Sequence, residues 1–231
     1  MLDNIKSNMM LNEVFIHIKQ RTKLKLVKYN SKLKNRLNIK LKDYEDYMLL
    51  KKLNNEYNLN IKDTDITILD LNRKIRSDNK NEIIANIKKI NFRELKTLNL
   101  SDNNIEDINI FEKPNFNQLK ILDLSHNHLS DINILEKVDF PELIELNLYF
   151  NRISDINILE KVNFKELIEL NLSVNKISNI DVLEKVNFPE LKSLNLESNE
   201  IKDIKILEKV NFKKLQILNL NHNRISDIYI Y

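Results

Sequence analysis

Cysteine and glycine are both absent from the 231 residues, and proline occurs three times. Without cysteine there is no disulfide framework and no thiolate metal site. Without glycine, every position that needs a positive φ must take asparagine or aspartate, or be avoided. No run approaches the ~20 apolar residues of a membrane-spanning helix. The apolar stretch from Met9 to Ile18 is broken by Asn12 and Glu13 and does not read as a secretory signal. Sequons at Asn99 and Asn171 arise easily in an asparagine-rich chain, so they read as unused and the chain as cytoplasmic. There is no phosphate-cradling glycine loop, and Ser101, Ser125 and Ser173 have no designed base nearby. His17, His126, His128 and His222 do not form a converging ligand set. No metal, cofactor or catalytic residue is assigned, and the chain does not read as an enzyme.

What the chain does have is a period. Leu143 to Asn151 reads L-x-x-L-x-L-x-x-N, and the same frame starts again at Leu95, Leu119, Leu167, Leu191 and Leu215, always 24 residues apart. Ile153, Asp155, Ile156, Leu159, Val162 and Phe164 have counterparts in the flanking copies. A fixed period of this length marks a solenoid, in which one unit cannot bury its own apolar face and stacking seals it. Within a unit, Leu143, Leu146 and Leu148 fall on one face of a short strand. Ile153, Ile156, Leu159, Val162 and Phe164 are expected to return to the core. Ser154 and Asp155 are expected to cap a helical turn from Asn157 to Val162. The asparagine column Asn103, Asn127, Asn151, Asn175, Asn199 and Asn223 reads as structural, its amides bonding backbone where the chain leaves the sheet. Asn147, two residues before the turn, reads as exposed and of little weight to stability.

This frame resembles the leucine-rich repeat family. Its I-x-D-I-x-x-L tail is most similar to the short-repeat subclass that includes bacterial internalins and a phosphatase regulator. The resemblance covers roughly two thirds of the chain. It implies an α/β fold: a curved parallel sheet, short helices on the convex side and an α-helical N-terminal cap. It also implies a non-catalytic scaffold that binds a protein partner on the concave face, without saying which partner.

Three segments follow. Residues 95–231 are the solenoid of 24-residue units, with the last unit incomplete. Residues 63–94 form an atypical first repeat, in which Ile66, Leu69 and Leu71 take the leucine slots and Lys74 stands where the turn asparagine belongs. That unit runs 29 residues to Leu95, and Ser77 or Asp78 is expected to start a longer helix with Ile83, Ile84, Ile87 and Ile90 inward. Pro114, Pro141 and Pro189 fall outside ladder positions. Residues 1–62 carry no repeat and read as a helical cap, with Asp43 starting a helix whose inner stripe is Tyr44, Tyr47, Met48, Leu50 and Leu53.

The cap is basic. Residues 1–62 hold 14 Lys+Arg and 6 Asp+Glu (+8), leaving 23 and 28 (−5) for residues 63–231. Lys19 to Lys42 contains ten basic residues and no acidic one, yet its only aromatic is Tyr29. The run therefore reads as a solvated helix face rather than a nucleic-acid site. Leu11-Asn12-Glu13-Val14-Phe15-Ile16-His17-Ile18 followed by Lys23-Leu24-Lys25-Leu26-Val27-Lys28-Tyr29-Asn30 is similar to an F-box. Asn12 replaces that family's proline, and its tryptophan-containing tail is missing. This likeness implies an alternative function, a substrate receptor meeting a ubiquitin-ligase adaptor through residues 11–33.

The informative residues are those the repeat does not dictate. Tyr149 and Phe150 stand in columns otherwise filled mainly by serine, aspartate, histidine, glutamate and asparagine. Val174 lies one unit on and Ile121 one unit back, with Glu145 and Glu169 flanking. An aromatic centre with a polar rim is the usual anatomy of a protein hot spot, so these six residues are the expected partner site.

Overall fold

A computed structural model describes residues 35, 41–62, 64–75, 80–112 and 116–226. The F-box-like residues, most of the basic run, Ser77, Asp78, Pro114 and the terminal Tyr229 and Tyr231 lie outside the described residues. The chain forms two compact units, one of residues 1–66 and 89–94, the other of 67–88 and 95–231.

In the first unit, helix α1 spans Leu41–Tyr57. Its buried stripe is Asp43, Asp46, Leu50 and Leu53, while Met48 is 45% exposed, against the expectation that it faces inward. The two acids are buried because they hold the segment 89–94. Asp43 pairs with Arg93, and Asp46 accepts the Asn91 amide at 3.2 Å. Lys42 adds bonds to the Lys89 carbonyl and to Asp46, both 2.7 Å. Past the helix, Asn58 and Asn60 take positive φ (51° and 56°), the glycine-like role left to asparagine here. Asn54 clamps the following segment by bonding both the Ile61 carbonyl (2.6 Å) and its amide (2.7 Å).

The second unit is a single parallel sheet of seven three-residue strands in sequence order. They are β1 Ile68–Asp70, β2 Thr97–Asn99, β3 Ile121–Asp123, β4 Glu145–Asn147, β5 Glu169–Asn171, β6 Ser193–Asn195 and β7 Ile217–Asn219. The register is constant, Leu98 beside Leu122 beside Leu146 and so on, which stacks the leucines into columns at most 2% exposed as far as β6. Helix α2, Lys80–Ile87, fills the long first connection with Ile83 and Ile87 buried. Every later connection is a four-residue 3-10 turn rather than an α-helix. Its start is held by Asp155, whose carboxylate accepts the Asn157 amide at 2.8 Å; Asp131 and Asp203 do the same. The tight turn also changes the core: Ile158 is buried and Val162 only half-buried. Phe140, Phe164 and Phe188 stack 6.2–6.3 Å apart as a spine behind the sheet.

The asparagine column ties the units together in one direction. Asn151 donates from Nδ2 to the carbonyls of Leu148 in its own unit and of Leu124 in the unit before. Its Oδ1 accepts the Leu129 amide, also of the unit before. Asn103, Asn127, Asn175, Asn199 and Asn223 repeat this pattern backward. Asn103 serves Leu71 and Ile75 of the first unit. Lys74 can therefore replace the asparagine there, because β1 has no earlier strand in the sheet to serve.

Candidate concave interaction face

Three columns line the exposed side of the sheet. The first holds Ile68, Thr97, Ile121, Glu145, Glu169, Ser193 and Ile217, one per strand in register. The second holds Asp70, Asn99, Asp123, Asn147, Asn171, Asn195 and Asn219. These polar residues are not idle. Each accepts the amide two residues on: Asn147 takes the Tyr149 amide at 3.1 Å, Asp123 the Ser125 amide at 2.8 Å and Asn171 the Ser173 amide at 3.0 Å. The expectation that Asn147 is exposed is corrected: it is half-buried and holds this bond.

The bond matters because the next residue turns left-handed. Arg73, Asp102, His126, Phe150, Val174, Ser198 and His222 form a third column, all with φ between 52° and 57°. A glycine-free chain was expected to give such positions to asparagine or aspartate; only Asp102 in this column obeys. The column is held from outside, since each amide from Arg73 to Ser198 bonds a carbonyl of the following unit: Phe150 to Ser173 at 3.0 Å, Val174 to Glu197 at 2.9 Å. Ladder bonds thus impose a conformation that a β-branched valine disfavours.

The structure splits the six expected site residues into two neighbouring groups. Phe150, 51% exposed, stacks on His126 with centroids 4.9 Å apart. Tyr149 meets the same imidazole edge-on at 4.9 Å, and half-buried Val174 follows Phe150 in its column. Ile121, Glu145 and Glu169 sit side by side in the first column, at the starts of β3, β4 and β5, four residues or more ahead of the ring column in their own units. Burial, then Glu169, then Asp123 raise the pKa of Glu145 above the ordinary 4.5. His126 is the residue that sequence reading missed. Its signal was its place in the Phe150 column, one unit back.

A family model described as leucine rich repeats (2 copies) matches residues 93–137 and 189–230. The fold is that of a leucine-rich repeat solenoid. Among solved structures, it is similar to an internalin (inlF) of Listeria monocytogenes, with TM-score 0.58 and 28% identity over 72% of this chain and 44% of that one. The chain therefore spans less than half of that internalin. Internalin C2 of the same species matches with TM-score 0.46 and 25% identity, covering 62% of this chain and 68% of that one. The repeat ectodomain of a plant membrane receptor kinase from Arabidopsis thaliana, in complex with Casparian strip integrity factor 2, matches with TM-score 0.46 and 26% identity over 60% and 16%. No curated protein matches the sequence. The leucine-rich repeat fold is in general a protein-interaction scaffold and typically non-catalytic. Among the described residues, no helix is long and apolar enough to cross a membrane, and no cluster of metal-ligating side chains occurs.

Proposed function

We propose that the repeats bind a protein partner on the concave face, centred on Tyr149, Phe150, Val174 and His126, with Glu145 and Glu169 alongside and Ile121 beside them. One observation carries this reading. Phe150 and Val174 occupy left-handed positions (φ 55° and 54°) in a column whose other members, Arg73, Asp102, His126, Ser198 and His222, are all polar. Every unit holds a non-glycine residue there at about 1–3 kcal/mol, and a bulky or β-branched apolar side chain tolerates the conformation worst. Large apolar side chains kept at that cost, one of them half-exposed and stacked on an imidazole, suit contact with a partner better than folding.

The test compares proteins captured by the parent chain and by the double variant Tyr149→Ser, Phe150→Ser. Partners held by the parent and lost by the variant are expected, with circular dichroism and melting nearly unchanged. Unfolding of the variant would instead assign the rings to the core. Equal capture would move the site to the basic head, where a 1–62 fragment should then recover a ligase adaptor or, salt-sensitively, nucleic acid.

A further inference from the structure

Over β4 to β6 the concave face presents three different chemistries side by side. On one side are the rings of Tyr149 and Phe150 with Val174. In the middle stand Asn147, Asn171 and Asn195, whose Oδ1 atoms are each occupied by the amide two residues on. The Nδ2 groups of these three donate to no atom among the described residues, whereas that of Asn219 is taken by Glu197 at 3.0 Å. This leaves a ladder of amide donors at strand spacing, about 4.8 Å. On the other side lie Glu145 and Glu169, with Asp123 near. None of these carboxylates joins an ion pair among the described residues, although Glu136, Glu142, Glu160, Glu190 and Glu200 each pair with a lysine or arginine. The repeats neutralise those acids and leave this group uncompensated. Its charge repels phosphate and favours a cation.

Resting on the concave-face reading above, we infer that the partner presents an extended segment with alternating basic and apolar side chains. The segment lies across the strands, its backbone carbonyls on the amides of Asn147, Asn171 and Asn195. Its basic residues reach Glu145 and Glu169, and its apolar residues reach Tyr149, Phe150 and Val174. Alternation follows from the strand period of two, which sends successive side chains to opposite sides of the backbone. A helix fits poorly, because its interior carbonyls are already bonded within the helix and would leave the amide ladder unpaired. Residues two apart in an extended chain are about 6.6 Å apart, close enough to the spacing of adjacent strands for two basic side chains to meet two neighbouring glutamates.

The experiment uses the full chain and dye-labelled, end-capped eight-residue peptides read by fluorescence anisotropy. One alternates arginine with valine; the second has the same composition in two blocks; the third alternates glutamate with valine. The alternating basic peptide is expected to bind at least about tenfold more tightly than the blocked one, with no binding by the acidic one. Glu145→Gln with Glu169→Gln should weaken it by about tenfold. Asn171→Asp keeps the Oδ1 acceptor, removes the donor and adds negative charge. Weaker binding is expected, whereas charge attraction alone would strengthen it, and that gain would overturn the amide ladder. Equal binding of the alternating and blocked peptides, indifference to the glutamate changes, or no binding by any peptide would each overturn the inference. The capture comparison with Tyr149→Ser, Phe150→Ser then judges the concave site separately.

Discussion

At the residue scale, the two asparagine columns differ in how much backbone depends on them. Asn151 is 9% exposed, donates to three carbonyls and accepts one amide of the preceding unit. Replacing it with alanine leaves buried backbone groups unpaired and should cost about 1–3 kcal/mol. Asn147 holds a single, half-buried amide, so Asn147→Ala should cost about 0.5–1.5 kcal/mol. Urea midpoints of the two variants check the order; an equal shift would mean that the bonds to the preceding unit carry no weight. Val174 gives the opposite sign. Asparagine tolerates its φ of 54° better than a β-branched side chain, so Val174→Asn should raise stability by about 0.5–1.5 kcal/mol in thermal unfolding. The stabilising change and the predicted loss of partner contact would then coincide at one position.

At the element scale, β3, β4 and β5 bring Asp123, Glu145 and Glu169 together by register alone. The carboxyl of Glu145 is harder to ionise when folded than when unfolded, chiefly through burial, then through Glu169 and Asp123. For an acid whose folded pKa is raised, the folded state holds the extra proton. Its contribution to stability is therefore most favourable at low pH and is lost as pH rises from about the ordinary 4.5 through the raised folded value. Glu145→Gln should stabilise the repeats at neutral pH and flatten the decline in melting temperature across that window. A variant that melts with the same pH dependence as the parent would show that Glu145 is not the group responsible.

At the scale of the whole sheet, burial is uneven between the middle and β7. Leu146 is fully buried, whereas its column-mate Leu218 is 37% exposed and Ile217 beside it is 59% exposed. Leu146→Ala should cost about 2–5 kcal/mol, the usual range for a buried leucine that leaves a cavity. Leu218→Ala should cost about 1.5 kcal/mol or less, since part of its surface already meets water. Amide exchange should follow the same gradient, slowest at β4 and β5 and fastest at β7, because units stabilise their neighbours one contact at a time. Uniform exchange across all strands would point instead to a single cooperative block.

The repeat frame, the parallel sheet, the leucine columns and the asparagine column were legible because each is a local pattern repeated every 24 residues, and periodicity survives without coordinates. The oddity of Tyr149 and Phe150 was legible for the same reason, as a departure from a column. Tertiary structure decided what depends on the neighbouring unit. It turned the asparagine bonds backward, which explains Lys74, and it set Phe150 and Val174 left-handed through ladder bonds that no local propensity favours. It also brought His126 against two rings. The α1 stripe shows the same limit: Asp43 and Asp46 are buried and Met48 is not, because the partners of those acids lie about 50 residues away at Arg93 and Asn91. Within the repeats the hydrophobic period fixes which face most residues lie on; in α1 charge and backbone groups brought in from distant sequence decide even that.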